Sequence, residues 1–303
     1  MHLIVGSTGR LGGRIASLLL ERGAPVRALV RAHSPERARV VHTDPERLRE
    51  LGADIAEGDL TRPESLVMAL EGITHVVSTA TITKRGEAES MEEVDVEGTS
   101  TLARLSAAAG VRQFVYVSAH RADASSDQPI MREKGLAERA IAASGVAATI
   151  VRPSAFMQDW IGFTLGAQVQ ATAASGTPRV QLIGDGDLPI GFTDEGDVAR
   201  LVLAVLERED TIGEAISLTA ETATYREVVQ QMSRRMGMEI EVETLPVGSQ
   251  ITTVPDEMAG MLTFMLTISA GWRPNTETTP EVAERFGLEL TTIEAFLKGE
   301  SRG

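Results

Sequence analysis

The sequence predicts an α/β protein in which a parallel β-sheet carries helices on both faces. Short apolar runs alternate regularly with longer amphipathic segments through the first half of the chain. The segments between the runs are long enough to contain a helical crossover, which is the connection that parallel strands need. The 303 residues also suffice to bury a sizeable core, in one large domain or two modest ones.

Six apolar runs in the first half are predicted strands. They occupy residues 2–5, 25–30, 53–58, 74–79, 112–118 and 147–152. After the first run, Leu11, Ile15 and Leu19 fall on one helical face. After the third run, Thr61 and Glu64 have the spacing of a capping box, which predicts a helix start there. Repeated units of this length predict a doubly wound sheet.

The alternation becomes less regular after residue 153. Helices are predicted at 194–210, 224–237 and 255–270, followed by two short helices capped at Thr279 and Thr291, and strands at 214–219 and 239–245. Thr224 and Glu227 form a second predicted capping box. We therefore predict a nucleotide-binding domain over 1–153 and a smaller α+β lobe over 154–303. Segments of this lobe are expected to interleave with the sheet, and the lobe to cover its carboxyl edge.

Composition excludes several classes of partner. The net charge of −14 disfavours nucleic acids and anionic membranes, whose phosphates would repel an acidic surface. No apolar run approaches 18 residues and the start does not resemble a signal peptide, so we expect a cytoplasmic protein. Cysteine is absent and the five histidines are scattered, so we predict no metal site. Either a monomer or a homodimer fits the sequence.

A glycine-rich segment, GSTGRLGG, follows the first predicted strand and opens the first helix. Gly6, Gly9 and Gly12 let backbone amides approach a pyrophosphate, and the helix N-terminus adds positive potential. We predict that this loop holds a dinucleotide, with Thr8, Arg10 and Leu11 also in contact with it. The alternative is a merely structural turn.

The next strands predict how the rest of the nucleotide is held. Arg31 ends the second strand, where an NAD site has an acidic residue, and a guanidinium there suits a 2′-phosphate. We therefore predict NADP (NADPH), with surface roles for Arg31 and Arg10 as the alternative. Asp59 and Leu60 would meet the adenine, although Asp59 also suits a turn. Thr79 and Ala80 lie in a small-residue loop beside the second ribose and phosphate.

Several motifs in their order resemble a known family. These are GSTGRLGG, VRALVR, GDL, VDVEGTSTLARLSAAAGVRQFVYVSA, REKGLAERAIAASGVAATIVRPSAFMQDW and IGDGDLPIGFTDEGDVARLV. Together they resemble the atypical short-chain dehydrogenases, especially the NmrA-like and isoflavone-reductase-like branch, over nearly the whole chain. The resemblance implies a Rossmann-type domain that binds NADP, a small C-terminal substrate lobe, and reduction of a carbonyl, a conjugated double bond or a quinone.

The catalytic pattern of that family matches only in part. Typical members have a serine, and a tyrosine four residues before a lysine. Ser118 matches the serine and Lys134 the lysine, which implies that Lys134 holds the nicotinamide ribose. Ile130 stands at the tyrosine position and cannot transfer a proton. Lys134 as a solvated surface lysine, and Ser118 as a simple strand end, are the alternatives.

A different proton donor is therefore needed. His120 follows the strand end that should face the nicotinamide, and its ordinary pKa suits acid catalysis near neutrality. Ordered water, or an acidic group of the substrate, could serve instead, with His120 as a polar surface residue. Of the two tyrosines, Tyr116 lies in a predicted core strand and Tyr225 begins a helix of the second lobe.

The substrate lobe predicts an apolar ligand. Pro153 would lie beside the nicotinamide, and Phe156, Met157 and Trp160 offer an apolar wall, unless they are ordinary core residues. The Met-rich stretch 255–272 could be a pocket lid, a dimer contact or core.

We therefore expect an NADPH-dependent ketoreductase or quinone/enone reductase of a small hydrophobic substrate. The alternative is a non-catalytic NADP(H) sensor of the NmrA-like type. A third reading, an assembly factor, has no specific feature of the sequence in its favour.

Overall fold

The computed structural model describes residues 1–31, 43–81, 90–174 and 176–300. The chain divides into two compact units, one made of Met1–Pro153 and Val198–Ser217, the other of Ser154–Asp197 and Leu218–Gly303. Within the described residues, no helix has the length and apolar character needed to cross a membrane.

The described elements fall in the following order. The strands are β1 His2–Val5, β2 Val26–Val30, β3 Asp54–Glu57, β4 His75–Ser78, β5 Gln113–Val117, β6 Ala148–Pro153, β7 Ala155–Phe156, β8 Arg179–Ile183, β9 Ile190–Thr193, β10 Ala215–Leu218, β11 Glu221–Ala223 and β12 Glu241–Leu245. The helices are α1 Arg10–Glu21, α2 Pro45–Glu50, α3 Pro63–Ala69, α4 Thr99–Ala108, α5 Pro129–Ser144, α6 Ala167–Ala173, α7 Glu195–Leu206, α8 Tyr225–Met236, α9 Asp256–Ala270, α10 Pro280–Phe286 and α11 Ile293–Lys298. Two π-helical segments, Glu92–Gly98 and Gln158–Gly166, lead into α4 and α6, and a 3₁₀ turn covers Glu209–Thr211.

The first unit is built on a seven-stranded sheet in the order β10-β6-β5-β4-β1-β2-β3. β1 pairs in parallel with both β2 and β4, so the strand order reverses at β1. In open parallel sheets, ligands bind at the carboxyl ends of the strands beside such a reversal. The predicted Rossmann-type α/β fold is confirmed, because all six strands predicted in the first half are present and belong to this sheet.

The segment Val198–Ser217 follows Ser154–Asp197 of the second unit in the chain, but it belongs to the first unit and completes its sheet. It contributes most of α7 and of the edge strand β10. Its connection to the sheet is polar and buried: Gln113 Nε2 donates to Thr149 Oγ1 at 3.1 Å and to Thr211 Oγ1 and the Val205 carbonyl, both at 3.2 Å. Thr149 Oγ1 also donates to the Thr211 carbonyl at 3.0 Å.

The second unit contains a three-stranded sheet, β11-β9-β7, and a two-stranded sheet, β12-β8. β8 and β9 were not predicted from the sequence: both are short, and β9 leads almost directly into α7. Helices were predicted where α7, α8 and α9 lie, and these are confirmed. The core of this unit includes Met157, Leu182 and Phe192.

Helix starts show where the sequence patterns succeed and where they fail. The box of Thr224 and Glu227 is formed at α8, with both reciprocal hydrogen bonds. The box predicted for Thr61 is wrong: α3 begins at Pro63, whose fixed φ sets the first helical position. Thr61 Oγ1 instead donates to Asp59 Oδ1 at 2.9 Å.

The two C-terminal helices differ from the prediction in their caps. Thr292, not Thr291, caps α11 by accepting from the Ala295 amide. Thr291 Oγ1 donates instead to buried Asp197 at 3.0 Å. Thr279 stands at the predicted N-cap of α10, but its hydroxyl accepts from the Thr219 amide at 2.9 Å and caps no helix amide.

Candidate active site

The glycine-rich loop joins β1 to α1 by close backbone packing. Gly6 has φ +89°, which an L side chain rarely adopts, and a Cβ at Gly12 would lie 2.2 Å from the Gly6 carbonyl oxygen. The Gly9 amide donates to that same oxygen at 2.9 Å. Ser7 Oγ donates to the Leu29 carbonyl at 2.8 Å and fastens the turn to β2. The glycines at 6 and 12 are therefore required by the turn itself.

The same loop presents backbone donors at its outer side. Gly9 is the N-cap of α1, and no described side chain caps the helix there. The first intrahelical bond at this end runs from the Gly13 amide to the Gly9 carbonyl at 2.9 Å, so the amides of Leu11 and Gly12 precede it. Among the described residues, a Cβ at Gly9 would meet only the Gly6 oxygen, at 3.2 Å. This donor set fits a pyrophosphate.

The loop has further fixed contacts. The Thr8 carbonyl accepts from the Thr43 amide at 3.0 Å, and Thr43 Oγ1 lies 3.4 Å from the Gly9 carbonyl. Arg31 follows β2 directly, and both Arg10 and Arg31 have interaction partners within the chain. Arg10 therefore lies at the loop and Arg31 at the adjacent strand end, and both already make contacts within the chain.

The residues predicted for the adenine and the second ribose lie at neighbouring strand ends. Asp59 follows β3 and accepts from the Thr61 amide at 3.0 Å, which is the turn role that the sequence left open. Leu60 and Ala80 are buried in the hydrophobic core of this unit. Thr79 Oγ1 donates to the Val5 carbonyl at 3.3 Å and would contact any Cβ at Gly6.

A buried cluster of three polar residues, here called the lysine cluster, consists of Asp95, Tyr116 and Lys134. Lys134 Nζ lies 3.2 Å from Asp95 Oδ1 and donates to Tyr116 Oη at 3.2 Å. Asp95 is 1 % exposed and Tyr116 0 %, while the Lys134 side chain is 9 % exposed. The three residues come from the first π-helical segment, β5 and α5.

The cluster fixes the charge state of Lys134. Burial alone would lower the pKa of the ammonium, but the neighbouring Tyr116 and Asp95 outweigh it and raise the pKa above its ordinary value. Burial also raises the pKa of Tyr116, which therefore stays a neutral phenol. Because Lys134 holds its proton firmly, the ammonium is suited to binding and is a weak acid near neutrality.

Unsatisfied polar groups lie around the lysine cluster. Ser78 is the register partner of Tyr116 across β4 and β5, and Thr99 lies one helical turn after Asp95. Both hydroxyls are buried, and neither Ser78 Oγ nor Thr99 Oγ1 has a hydrogen-bond partner among the described residues. Among the described residues, the three N–H donors of the ammonium have two oxygen partners, so one N–H has no acceptor in this part of the chain.

Ser118 belongs to a different polar group. Its Oγ donates to Glu138 Oε1, and Arg152 binds the same carboxylate through two nitrogens. These residues stand beside a groove of about 290 Å³ that is lined by Ala122, Asp123, Ala124, Gly135, Glu138, Arg139, Ala142 and Arg152. The hydroxyl of Ser118 is thus engaged by the half-buried carboxylate of Glu138, and among the described residues it makes no hydrogen bond with Lys134.

His120 is held at the carboxyl ends of β5 and β6. Its amide donates to the Pro153 carbonyl at 2.8 Å, which ties together two predicted site residues. Both ring nitrogens are shielded from solvent, and the residue has a further interaction within the chain. The next residue, Arg121, has φ +60°, a left-handed conformation that is uncommon outside glycine and is often found at functional sites.

The predicted substrate residues all lie in the second unit. Met157 is buried in the core, Phe156 is half-buried in β7, and Trp160 packs on Trp272 with ring centroids 4.5 Å apart. The Met-rich helix α9 buries Leu262 and Leu266. Among the described residues, no group of three histidines and acids could hold a metal ion.

Sequence reasoning missed the partners of the site residues. Asp95, Glu138 and Arg152 were not predicted, and Tyr116 was predicted only as a core residue. One feature of the sequence pointed to such a partner: Lys134 shares a helical face with apolar residues, and a lysine buried there needs a nearby negative charge. The sequence does not indicate which carboxylate supplies that charge.

Relatives of two kinds match this chain. Protein High Chlorophyll Fluorescence Phenotype 244 of Arabidopsis thaliana is 32 % identical over 81 % of this chain, but only 58 % of that protein is covered. The photosystem II assembly factor Ycf39 of Synechocystis is 27 % identical over 98 % of this chain and 89 % of its own. A (4-alkanoyl-5-oxo-2,5-dihydrofuran-3-yl)methyl phosphate reductase of Streptomyces griseus is 30 % identical over 84 % of this chain and 80 % of its own.

Solved structures share the fold. Citrobacter triphenylmethane reductase, solved with NADP(H), superposes with a TM-score of 0.76 at 19 % identity and covers 99 % of both chains. An Escherichia coli NADPH-dependent quinone oxidoreductase has a TM-score of 0.75 at 19 % identity over the full length of both chains. The sequence model of the NmrA-like family matches residues 2–297, so the chain belongs to the NmrA-like family.

Proposed function

We propose that this protein is an NADP(H)-dependent reductase of a small hydrophobic carbonyl, enone or quinone. The observation that carries the proposal is the lysine cluster: a buried ammonium, held by Asp95 and Tyr116, with one N–H for which the described residues provide no acceptor. An uncompensated buried charge is costly, and a cluster built this closely around Lys134 suits a fixed function.

We propose the following contacts for the nucleotide. The amides of Leu11 and Gly12 would bind the pyrophosphate, Arg31 the 2′-phosphate, and Lys134 the hydroxyls of the nicotinamide ribose. The unsatisfied hydroxyls of Ser78 and Thr99 support a polar ligand or water near this end of the sheet. When bound, NADPH supplies a hydride.

Proton transfer must come from outside the lysine cluster. Tyr116 is fully buried and Lys134 holds its proton, so neither suits the role of acid. His120, fastened to Pro153 at the strand ends, is the group that we propose for it. Ser118 is engaged by Glu138, which favours a structural role for the hydroxyl.

The substrate class rests on two observations. Half-buried aromatic residues, Phe156 and Trp160, offer apolar contacts in the second unit. The Streptomyces relative is named as a reductase of an unsaturated lactone that carries a ketone side chain. These support a conjugated carbonyl as the acceptor.

The test is a panel of ketones, enones and quinones, assayed with NADPH and in parallel with NADH. We expect turnover with NADPH, and a loss of affinity of at least tenfold in Lys134→Met, because a charge-assisted hydrogen bond is removed. Lys298→Met is the matched control, since Lys298 pairs with Glu294 at the surface. In Arg31→Ala, the preference for NADPH over NADH should fall by about tenfold. Equal binding of both cofactors by the wild type would contradict the NADP assignment.

A second candidate is a non-catalytic NADP(H)-binding protein that regulates or assembles a partner. Relatives named as photosystem II assembly factors favour it, as does Ile130 at the position of the usual tyrosine. This candidate predicts NADPH binding that depends on Lys134 but no turnover across the panel. Binding and turnover, measured on the same preparation, separate the two.

A further inference from the structure

Helix α9 is apolar on the side that faces away from its own core as well as on the core side. Leu262 and Leu266 are buried, whereas Met261 is 47 % exposed and Phe264 53 % exposed. No charged residue occurs from 258 to 272. A helix that is apolar all round is typically covered on both faces, and contiguous exposed apolar surface marks an interaction site.

We infer that the outer face of α9 binds the outer face of α9 in a second copy of this chain, as an antiparallel helix pair. The outer face is defined by Met261, Phe264, Met265 and Ile268, which have the i, i+3, i+4, i+7 spacing of a helix seam. A two-fold axis between Phe264 and Met265 sets Met261 against Ile268 of the other copy. It also sets Phe264 against Met265, so the surface is complementary to itself.

A glycine lies beside this face. Gly260 is exposed, and a Cβ added there would meet no atom of the described residues within 4 Å. Its position in the interior of a helix costs about 1 kcal/mol relative to alanine. The missing side chain lets another backbone approach closely, which gives this glycine a function in the pair.

The charges at the helix ends select the antiparallel arrangement. Asp256 and Glu257 occupy the first turn of α9, and Arg273 follows its last residue closely. With the two-fold axis placed as above, Asp256 lies level with Arg273 of the other copy. A parallel pair would instead bring the acidic turns together. Arg273 also has an interaction within its own chain, so the contact across the pair would add to or replace it.

The size of the face sets the expected affinity. Fifteen residues of helix extend over roughly 22 Å, and four side chains on one face of such a helix cover less area than the roughly 800 Å² per partner of a standard interface. We therefore expect a reversible dimer with a dissociation constant on the order of micromolar.

Sedimentation velocity of the full chain between roughly 1 and 200 μM tests this inference. We expect concentration-dependent dimerisation, and a loss of affinity of at least about 30-fold in Phe264→Glu, which would bury a charge in the pair. Met68→Glu is the matched control, because Met68 is an exposed apolar residue, 72 % accessible, on α3 of the other unit. It should leave dimerisation unchanged.

Two further variants keep the test independent of folding. Gly260→Gln should stabilise the isolated helix and yet weaken the dimer, a combination that a folding defect cannot produce. Asp256→Lys and Arg273→Glu should each weaken it by about two- to tenfold, and their combination should restore it. The proposed interface is wrong if the wild type stays monomeric at about 200 μM. It is also wrong if neither Phe264→Glu nor Gly260→Gln changes the affinity of the dimer. A dimer that the charge reversals do not affect overturns the antiparallel arrangement.

Discussion

Replacement of Asp95 by asparagine is the most direct test of the lysine cluster. The substitution keeps the size of the side chain and removes its charge, which leaves the Lys134 ammonium buried against the neutral phenol of Tyr116. Because the loss of one member of a buried ion pair leaves the other uncompensated, the variant should be strongly destabilised.

The separation of the two charged groups gives the magnitude. At 3.2 Å and an effective dielectric constant of about 20, Coulomb's law gives roughly 5 kcal/mol of attraction between Lys134 and Asp95. Part of this loss is recovered, because the carboxylate no longer has to be dehydrated. We expect a net decrease of about 3 kcal/mol in the free energy of unfolding at pH 7.

The pH dependence gives the prediction a distinct signature. In the folded wild type the pKa of Lys134 is raised. Charged Lys134 therefore makes its full contribution to the free energy of unfolding below the unfolded pKa of about 10.4, and this contribution is lost as the pH rises above that value. In Asp95→Asn, burial without the carboxylate should depress the folded pKa, so the variant gains stability as the pH rises toward 10. The difference between the two proteins should therefore narrow from pH 7 to pH 10.

Urea unfolding followed by circular dichroism measures both effects. The two tryptophans, Trp160 and Trp272, belong to the second unit, so their fluorescence reports that unit while circular dichroism also reports the first. Asp95→Asn combined with Lys134→Met should recover most of the loss, since no charge then remains buried. A loss below about 1 kcal/mol that does not change with pH would refute the reasoning.

Three further predictions concern the loop, the opposite end of the sheet and the serine. Gly12→Ala should destabilise the protein by at least about 3 kcal/mol in urea unfolding, because its Cβ would lie 2.2 Å from a backbone oxygen. Gly9→Ala, with 3.2 Å to the same oxygen, should cost far less stability yet weaken NADPH binding in a titration. His2 and His75 stack 4.9 Å apart, and burial lowers the pKa of both, so the unfolded chain takes up protons first and urea midpoints should fall as the pH drops below about 6.5. His75→Phe should reduce this slope, and an unchanged slope would exclude the pair as its source. Ser118→Ala should cost about 1 kcal/mol of stability and change kcat less than threefold, whereas a large drop in kcat would restore its predicted catalytic role.

The sheet of the first unit could be predicted because its strands are short apolar runs between turn residues and amphipathic helices. That pattern depends only on neighbours in sequence, so β1 to β6 were predicted to within one residue at most ends. Where a local rule competed with another, prediction failed: Pro63 set the start of α3 and displaced the box expected at Thr61. Thr291 does not cap α11, because it hydrogen-bonds to Asp197, which is 94 residues away in the chain.

The candidate site was predictable in its residue types but not in its pairings. The match of Lys134 to a family motif located the ammonium, yet its partners come from a π-helical segment and from the middle of β5. Which carboxylate meets which cation is decided by helix-to-strand packing, and this packing leaves no periodic signal in the sequence. The same holds for Ser118, whose partner Glu138 lies 20 residues later, within α5.

The split construction of the first unit has a consequence for the order in which a nascent chain can fold. A ribosome that has released residues up to Pro153 has supplied six of the seven strands, but α7 and β10 must wait for the intervening Ser154–Asp197. During that interval β6 is an open edge, and buried Gln113 and Thr149 lack the partners that Thr211 later provides. The growing chain should therefore depend on chaperones most strongly over this stretch of synthesis. A fragment that ends at Pro153 should aggregate, whereas one that extends through Leu218 contains all seven strands of the sheet.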